Sequence, residues 1–250
     1  MSTKIFAHRG VRKHYPENTM DAFRAADTMG LDGIELDVQR TLDGVLVICH
    51  DEHLLELAGE DLWIKDLTWE KLSLINIAWH LQDGSTARIP TLQAFLQWLK
   101  TTTLIVNIEL KNSIVPYEGM EGEVLALIDQ YHLRDRVIIS SFNLESVVHM
   151  KAIAPDIDVG FLYQRLKPLA DRLVKDVGLD AIHPLYVHQL FCHLVRSAHN
   201  KGLKVRVWTV NHPFFIRNAL WRKVDTIMTD DPELVLALRA KYQSTPKELS

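Results

Sequence analysis

Two carboxylates spaced two apart, Glu35 and Asp37, precede His50 across a short turn. The run from Ile34 to Thr41 alternates, Leu42-Asp43-Gly44-Val45 reads as an Asp-Gly two-residue turn, and Val45 to Cys49 is a second β-rich run. With Leu42 facing Val45, Asp37 lies directly across from His50. Side chains two apart on a strand share a face, and opposite partners have Cβ atoms about 4.5–5.5 Å apart, so Glu35, Asp37 and His50 converge. Such a surface could hold a hard cation beside a proton carrier. Alternating carboxylates on a hairpin also suit a solvated sheet face, so the elements that position these residues decide between the two.

Short apolar runs alternate with longer helical patterns along the whole chain. The spacing predicts strands over Ile5–His8, Ile34–Val38, Leu104–Lys111, Val137–Phe142, Val159–Tyr163, Ala181–His183, Lys204–Val210 and Thr226–Thr229. Helices are predicted over Thr19–Met29, Leu92–Leu99, Glu121–Tyr131, Leu144–Ile153, Pro168–Val177, Gln189–Asn200, Pro213–Trp221 and Glu233–Tyr242, with Asn143, Gly178 and Gly202 as cap residues. Eight strand-then-helix units argue for a TIM (β/α)8 barrel; a dinucleotide-binding sheet would show a glycine-rich loop after its first strand, which Gly10 alone does not make. Residues 52–90 exceed a minimal unit and read as an insertion over the barrel mouth. Its Trp63, Trp69 and Trp79 are expected mainly to pack the insertion on the barrel, with the capacity to roof a pocket.

In this fold chemistry sits at the C-terminal ends of the strands. The first strand ends in His8-Arg9-Gly10, the second carries Glu35 and Asp37, and the third places Asn107, Glu109 and Lys111 on one face with aliphatic residues on the other. Glu35, Asp37 and Glu109 form an all-oxygen set that suits one divalent cation, Mg2+ or Ca2+, better than Zn2+. His8 and His50 are left for proton transfer, Arg9 offers a planar fork to phosphate oxygens, and Lys111 a point charge. Against three carboxylates, a divalent ion with these two cations leaves a small positive excess, which suits a monoanion such as a phosphodiester. Its hydrolysis needs a Lewis acid, one imidazole to take a proton and another to give one, with water or a hydroxyl of the substrate as nucleophile. Trp208, at the end of the seventh strand, offers a flat face to ligand, and Asp230 and Asp231 suit capping of the final helix.

The 250 residues carry a net charge of −4 with scattered basic residues, which gives no footprint for nucleic acid. Only Cys49 and Cys192 are present, both in apolar runs, and are expected as buried thiols in a reducing cytoplasm. No apolar stretch reaches the length of a membrane span and no leader precedes the first strand, so a cytoplasmic protein with no stable membrane association is expected, its tail from Gln243 frayed.

The ordered set His8-Arg9-Gly10, Pro16-Glu17-Asn18-Thr19, Glu35-Leu36-Asp37, His50-Asp51-Glu52, Ile89-Pro90-Thr91-Leu92, Glu109-Leu110-Lys111, Trp208-Thr209-Val210-Asn211 and Thr229-Asp230-Asp231-Pro232 resembles the glycerophosphodiester phosphodiesterase family, within the phospholipase-C-like phosphodiesterase barrels. The resemblance runs from the first strand to the last helix. It implies a single barrel domain, metal on Glu35, Asp37 and Glu109, acid–base roles for His8 and His50, and phosphate held by Arg9 and Lys111. It also implies hydrolysis of small-molecule glycerophosphodiesters, the deacylated phospholipids, to sn-glycerol 3-phosphate and an alcohol. A monomer or a homodimer is expected. Glu17 is implied at the mouth, as a partner of the histidines or of glycerol hydroxyls, or as a brace for the first loop. The sequence departs from the family at Leu54-Leu55-Glu56-Leu57-Ala58, where an Arg-Thr-rich stretch is usual, and at Lys223, which replaces the Gly of a Gly-Val-Asp triplet. His183 and His212 are expected to be structural or rim residues.

Two other readings share much of this pattern. A barrel phosphodiesterase acting on lysophospholipid or phosphoinositide needs basic or aromatic membrane-contacting loops, and the chain offers no basic cluster. A phosphate-sensing barrel without turnover needs no paired acid and base.

Overall fold

A computed structural model describes residues 2–165, 177–191 and 193–244. Its strands are β1 (Lys4–His8), β2 (Gly33–Arg40), β3 (Leu46–Ile48), β4 (Ile105–Leu110), β5 (Val137–Ser141), β6 (Asp158–Tyr163), β7 (Ala181–Pro184), β8 (Lys204–Val207) and β9 (Thr226–Thr229). Its helices, among the described residues, are α1 (Met20–Thr28), α2 (Leu55–Ala58), α3 (Trp69–Leu72), α4 (Leu92–Leu99), α5 (Met120–Tyr131), α6 (Leu144–Ile153), α7 (Leu194–Asn200), α8 (Pro213–Trp221) and α9 (Pro232–Ser244). All strands except β3 pair in parallel, and β1 bonds both β2 and β9, so eight strands close into a TIM barrel while β3 hangs antiparallel on β2.

The period of each segment explains the layering. On β2 and β4, Ile34, Leu36, Val38, Val106, Ile108 and Leu110 alternate outward into the main core with Phe23 and Ala26 of α1 and Phe95, Leu96 and Leu99 of α4. The intervening polar residues are thereby forced inward. Thr19, Thr91 and Asn143 cap α1, α4 and α6 with their side-chain oxygens.

The hairpin departs from its expected register. The pairs are Val38↔Ile48, Gln39↔Val47 and Arg40↔Leu46, and the Thr41 N–H bonds Val45 O at 3.0 Å, closing a three-residue loop over Leu42, Asp43 and Gly44. Gly44 takes the left-handed φ of 84° that this loop needs. Side chains hold the longer loop: Thr41 Oγ1 accepts from Val45 N at 2.9 Å and donates to Asp43 Oδ1 at 2.6 Å, and Asp43 Oδ1 also accepts from Trp69 N at 2.9 Å. Asp37 therefore faces Cys49, whose N–H it accepts at 3.0 Å, and His50 lies one residue beyond the ladder.

Elsewhere the helix expected over Gln189–Asn200 is a 3-10 turn, Tyr186–Leu190, followed by α7. Buried Gln189 spends its side chain on Phe215 O at 3.2 Å, tying the turn to α8. The helix expected over Pro168–Val177, except its last residue, and Cys192 lie outside the described residues; Cys49 is a buried free thiol. The final helix runs to Ser244, into the tail expected to fray. Residues 52–90 carry α2 and α3 and build a second small core on Val47 and Cys49 of the return arm, from Leu54, Leu57, Ala58, Ile64, Leu67, Leu72, Ile77 and Ile89. Leu54, Leu57 and Ala58, where the sequence departs from the family, thus serve that core. Trp69 packs against it, while Trp63 and Trp79 are exposed.

Candidate active site

β1 delivers His8 at its C-terminal end. The chain then turns through Arg9, whose φ is 57°, and Arg9 N bonds Glu35 O at 3.0 Å and Glu35 Oε2 at 3.1 Å. β2 carries Glu35, Asp37 and Gln39 inward, and the in-register pair Asp37↔Glu109 sets β4 beside it. Carboxylate oxygens of Glu35, Asp37 and Glu109 lie within 4.8 Å of one another, all three buried.

Three buried carboxylates at this spacing cannot all stay charged without a counter-ion. Burial, then the charges of Asp37 and Glu109, push Glu35 well above the ordinary carboxylate range. Burial and Asp37 push Glu109 up to about 7, against the pull of Lys111 and His50. Burial also opposes ionisation of Asp37, but Arg9, His50, Lys111 and a 2.9 Å bond from Asn18 Nδ2 outweigh it and hold Asp37 at about 2. Asn18 Oδ1 is buried without a hydrogen-bond partner. An excess of buried negative charge carried by oxygen donors alone fits a hard divalent cation.

Each imidazole is anchored by a carboxylate. His8 Nδ1 lies 2.7 Å from Asp230 Oδ1, with His8 Nε2 3.9 Å from Glu35 Oε2. Burial lowers the pKa of His8, Arg9 lowers it further, and the bond to Asp230 partly restores it. His50 Nδ1 lies 2.6 Å from Asp51 Oδ1, at the more open side of the mouth, where the His50 side chain is 32% exposed. His50 also sits close enough to help hold Asp37 and Glu109 charged.

Arg9 is clamped between Glu17 (Nη1 to Oε1, 2.9 Å) and Asp37 (Nε to Oδ2, 3.4 Å). Glu17 also pairs with Arg12 at 2.7 Å, and Arg12 reaches Asp230 at 3.6 Å, so Glu17 contacts arginines and no histidine. Lys111 Nζ lies 3.4 Å from Glu109 Oε1. Trp208 donates its indole N–H to His183 O at 2.7 Å and meets Phe142 edge-on at 5.4 Å, leaving its ring half-buried against Phe6, Ile138 and Met228 inside the barrel.

Sequence reasoning missed Asn18, Arg12 and the Asp230 carboxylate as parts of this cluster. Asp231 is the helix cap, accepting from Leu234 N at 3.1 Å, while the neighbouring Asp230 turns to His8 and to Asn211 Nδ2 at 2.6 Å. The signal for Asn18 was its place in Pro-Glu-Asn-Thr; it adopts a left-handed φ of 55°, a conformation Asn tolerates. His183 is buried with its Nε2 3.1 Å from Arg206 Nη1, and His212 caps α8 by accepting from Phe214 N at 3.2 Å; both are structural.

A family model described as the glycerophosphoryl diester phosphodiesterase family matches residues 8–234. The chain is 36% identical over 242 residues to a glycerophosphodiester phosphodiesterase of Caldanaerobacter subterraneus subsp. tengcongensis, covering 96% of this chain and 99% of that one. It is likewise 36% identical over 244 residues to a glycerophosphodiester phosphodiesterase of Bacillus altitudinis, covering 96% and 100%. Among solved structures, a phosphodiesterase of Oleispira antarctica in complex with the product sn-glycerol-3-phosphate superposes with a TM-score of 0.81 at 25% identity, covering 95% of this chain and 96% of that one.

Proposed function

The chain belongs to the glycerophosphoryl diester phosphodiesterase family and is a phosphoric diester hydrolase, and from that premise we propose that it hydrolyses glycerophosphodiesters to sn-glycerol 3-phosphate and an alcohol with a divalent cation and a pair of histidines. The observation that carries this reading is the pair of carboxylate-anchored imidazoles, His8 on Asp230 and His50 on Asp51, flanking the buried Glu35, Asp37 and Glu109.

Glu35, Asp37 and Glu109 would hold Mg2+ or Ca2+, which would supply Lewis-acid stabilisation of the charge that develops on the phosphodiester. Arg9, oriented by Glu17, and Lys111 bind the phosphate, and Trp208 offers its ring to the glycerol carbons. His8 is the base: with Nδ1–H on Asp230, its Nε2 carries the lone pair, and a pKa lowered by burial keeps it neutral near pH 7. It takes the proton of the attacking group, water or a hydroxyl of the substrate. His50 is the acid, placed at the open side where the alcohol departs and held in its tautomer by Asp51.

The charged contacts all surround phosphate, so the leaving alcohol is weakly specified. Residues 1–250 act as one barrel unit with 52–90 as its insertion, and the setting is cytoplasmic turnover of deacylated phospholipids. Among the described residues no helix is long and apolar enough to cross a membrane. Assays on the choline, ethanolamine and glycerol diesters of sn-glycerol 3-phosphate are expected to give kcat/KM values within about two orders of magnitude, roughly 2.7 kcal/mol in transition-state binding. Phosphatidylcholine vesicles are expected to be poor substrates; a strong preference for them would overturn the proposal in favour of a lipase-like activity.

A further inference from the structure

Gln39 stands two residues beyond Asp37 on β2, with no exposed surface. Its amide Nε2 donates to two successive carbonyls of the return arm, Cys49 O at 3.0 Å and His50 O at 3.2 Å. The register pairs of the β2–β3 ladder end at Val38↔Ile48 and the last main-chain bond across it is Cys49 N–H to Asp37 O, so the Gln39 amide takes over at the carbonyls of Cys49 and His50 and carries the hold on to His50. The orientation of the amide is itself held, because Tyr117 Oη donates to Gln39 Oε1 at 3.2 Å. Burial pushes the Tyr117 phenol up to about 12, so it remains a donor across the working pH range. Tyr117 lies on the segment that follows Lys111, with the Arg40 guanidinium 5.6 Å from its ring centre.

We propose that Gln39, oriented by Tyr117, is a positioning residue for His50, holding the imidazole over the leaving alcohol by fixing the main chain on which it is mounted. Asp51 fixes the ring, but Asp51 is on the same partly exposed turn, so it cannot by itself locate His50 relative to the barrel. Gln39 is rooted in the barrel wall beside Asp37. This inference rests on the reading of His50 as the proton donor.

The test uses two substrates, glycerophosphocholine and a nitrophenyl ester of glycerol 3-phosphate whose leaving group departs without a proton. Gln39→Leu keeps the volume but cannot donate. It is expected to lower kcat on glycerophosphocholine at least about tenfold and on the nitrophenyl ester less than about threefold, with KM nearly unchanged. In a His50→Ala background the Gln39→Leu change is expected to cost nothing more, and Tyr117→Phe is expected to give a smaller loss that vanishes in Gln39→Leu. Equal losses on both substrates, or losses that multiply with His50→Ala, would show that Gln39 only supports the fold and would overturn the proposal. His50→Ala alone separates the two claims: if it lacks the leaving-group signature, the reading of His50 fails; if it shows the signature and Gln39→Leu does not, the positioning role alone fails. Should Gln39→Leu prove unstable, Tyr117→Phe carries the same comparison.

Discussion

His8 and Asp230 are 222 positions apart, yet Nδ1 of one lies 2.7 Å from Oδ1 of the other, so the parallel pairing of β1 with β9 that closes the barrel is topped at the mouth by a side-chain hydrogen bond. That bond fixes the tautomer that leaves Nε2 free to take a proton.

Removing the Asp230 carboxylate should therefore damage chemistry more than binding. Asp230→Asn is expected to lower kcat by roughly ten- to a hundredfold. The pH profile supplies a sign. His8 titrates below 6.5, chiefly because burial disfavours the imidazolium, and Asp230 opposes that effect. Without its charge the pKa falls further, so the acidic limb of kcat/KM should move to lower pH. A limb that moves upward would remove the base role from His8. Asp231→Asn, whose carboxylate bonds Leu234 N and pairs with Lys13 at the start of the last helix, should leave kcat unchanged.

The carboxylate cluster makes metal and pH act together on stability. Glu35 and Glu109 have folded pKa values above their unfolded ones, so the stability they contribute is present below about 4.5 and is lost as pH rises through the folded values, about 7 for Glu109. A bound cation removes that loss. At a hundred times its Kd it adds about 2.7 kcal/mol, roughly 5–10 °C in Tm for a chain of this size. The Mg2+- or Ca2+-induced shift in Tm should be large at pH 8 and shrink towards pH 5, where protons compete for the same oxygens. A shift independent of pH would count against this site.

Gly160 on β6 is required by the buried histidine beside it. A Cβ there would overlap the His183 imidazole, and His183 is fully buried and tied to Arg206. Gly160→Ala should cost about 1–3 kcal/mol by overpacking, with kcat per folded molecule unchanged, as chemical denaturation and an activity titration would show.

Lys223 explains itself through its backbone. Its φ of 56° lies in the left-handed region, where a side chain costs about 1–2 kcal/mol and glycine costs nothing sterically. Lys223→Gly should raise stability by roughly 0.5 kcal/mol once the added freedom of the unfolded chain is deducted. Urea denaturation at constant m-value measures it.

The residues gathered in the candidate site were readable because their strands are. Alternation on β4 already placed Asn107, Glu109 and Lys111 on one face, and His8 followed an unambiguous apolar run. The hairpin register was not readable from its Asp-Gly pair. Thr41 and Asp43 spend their side chains on the loop and on Trp69, a residue 26 positions on, and that bond selects the three-residue turn. The partner of His8 was hidden for the same reason. Two adjacent aspartates precede the last helix, and only closure of the barrel decides that Asp231 caps it while Asp230 reaches His8.

Turnover of glycerophosphocholine by metal-stripped enzyme tests the central claim most directly, with release of sn-glycerol 3-phosphate followed before and after Mg2+ or Ca2+ is returned. The account predicts no turnover in excess chelator, recovery on adding either ion, and no recovery in Asp37→Asn, which keeps the shape of the site but removes the carboxylate held at about 2. Full turnover in excess chelator, or an Asp37→Asn enzyme as active as the parent, would contradict it.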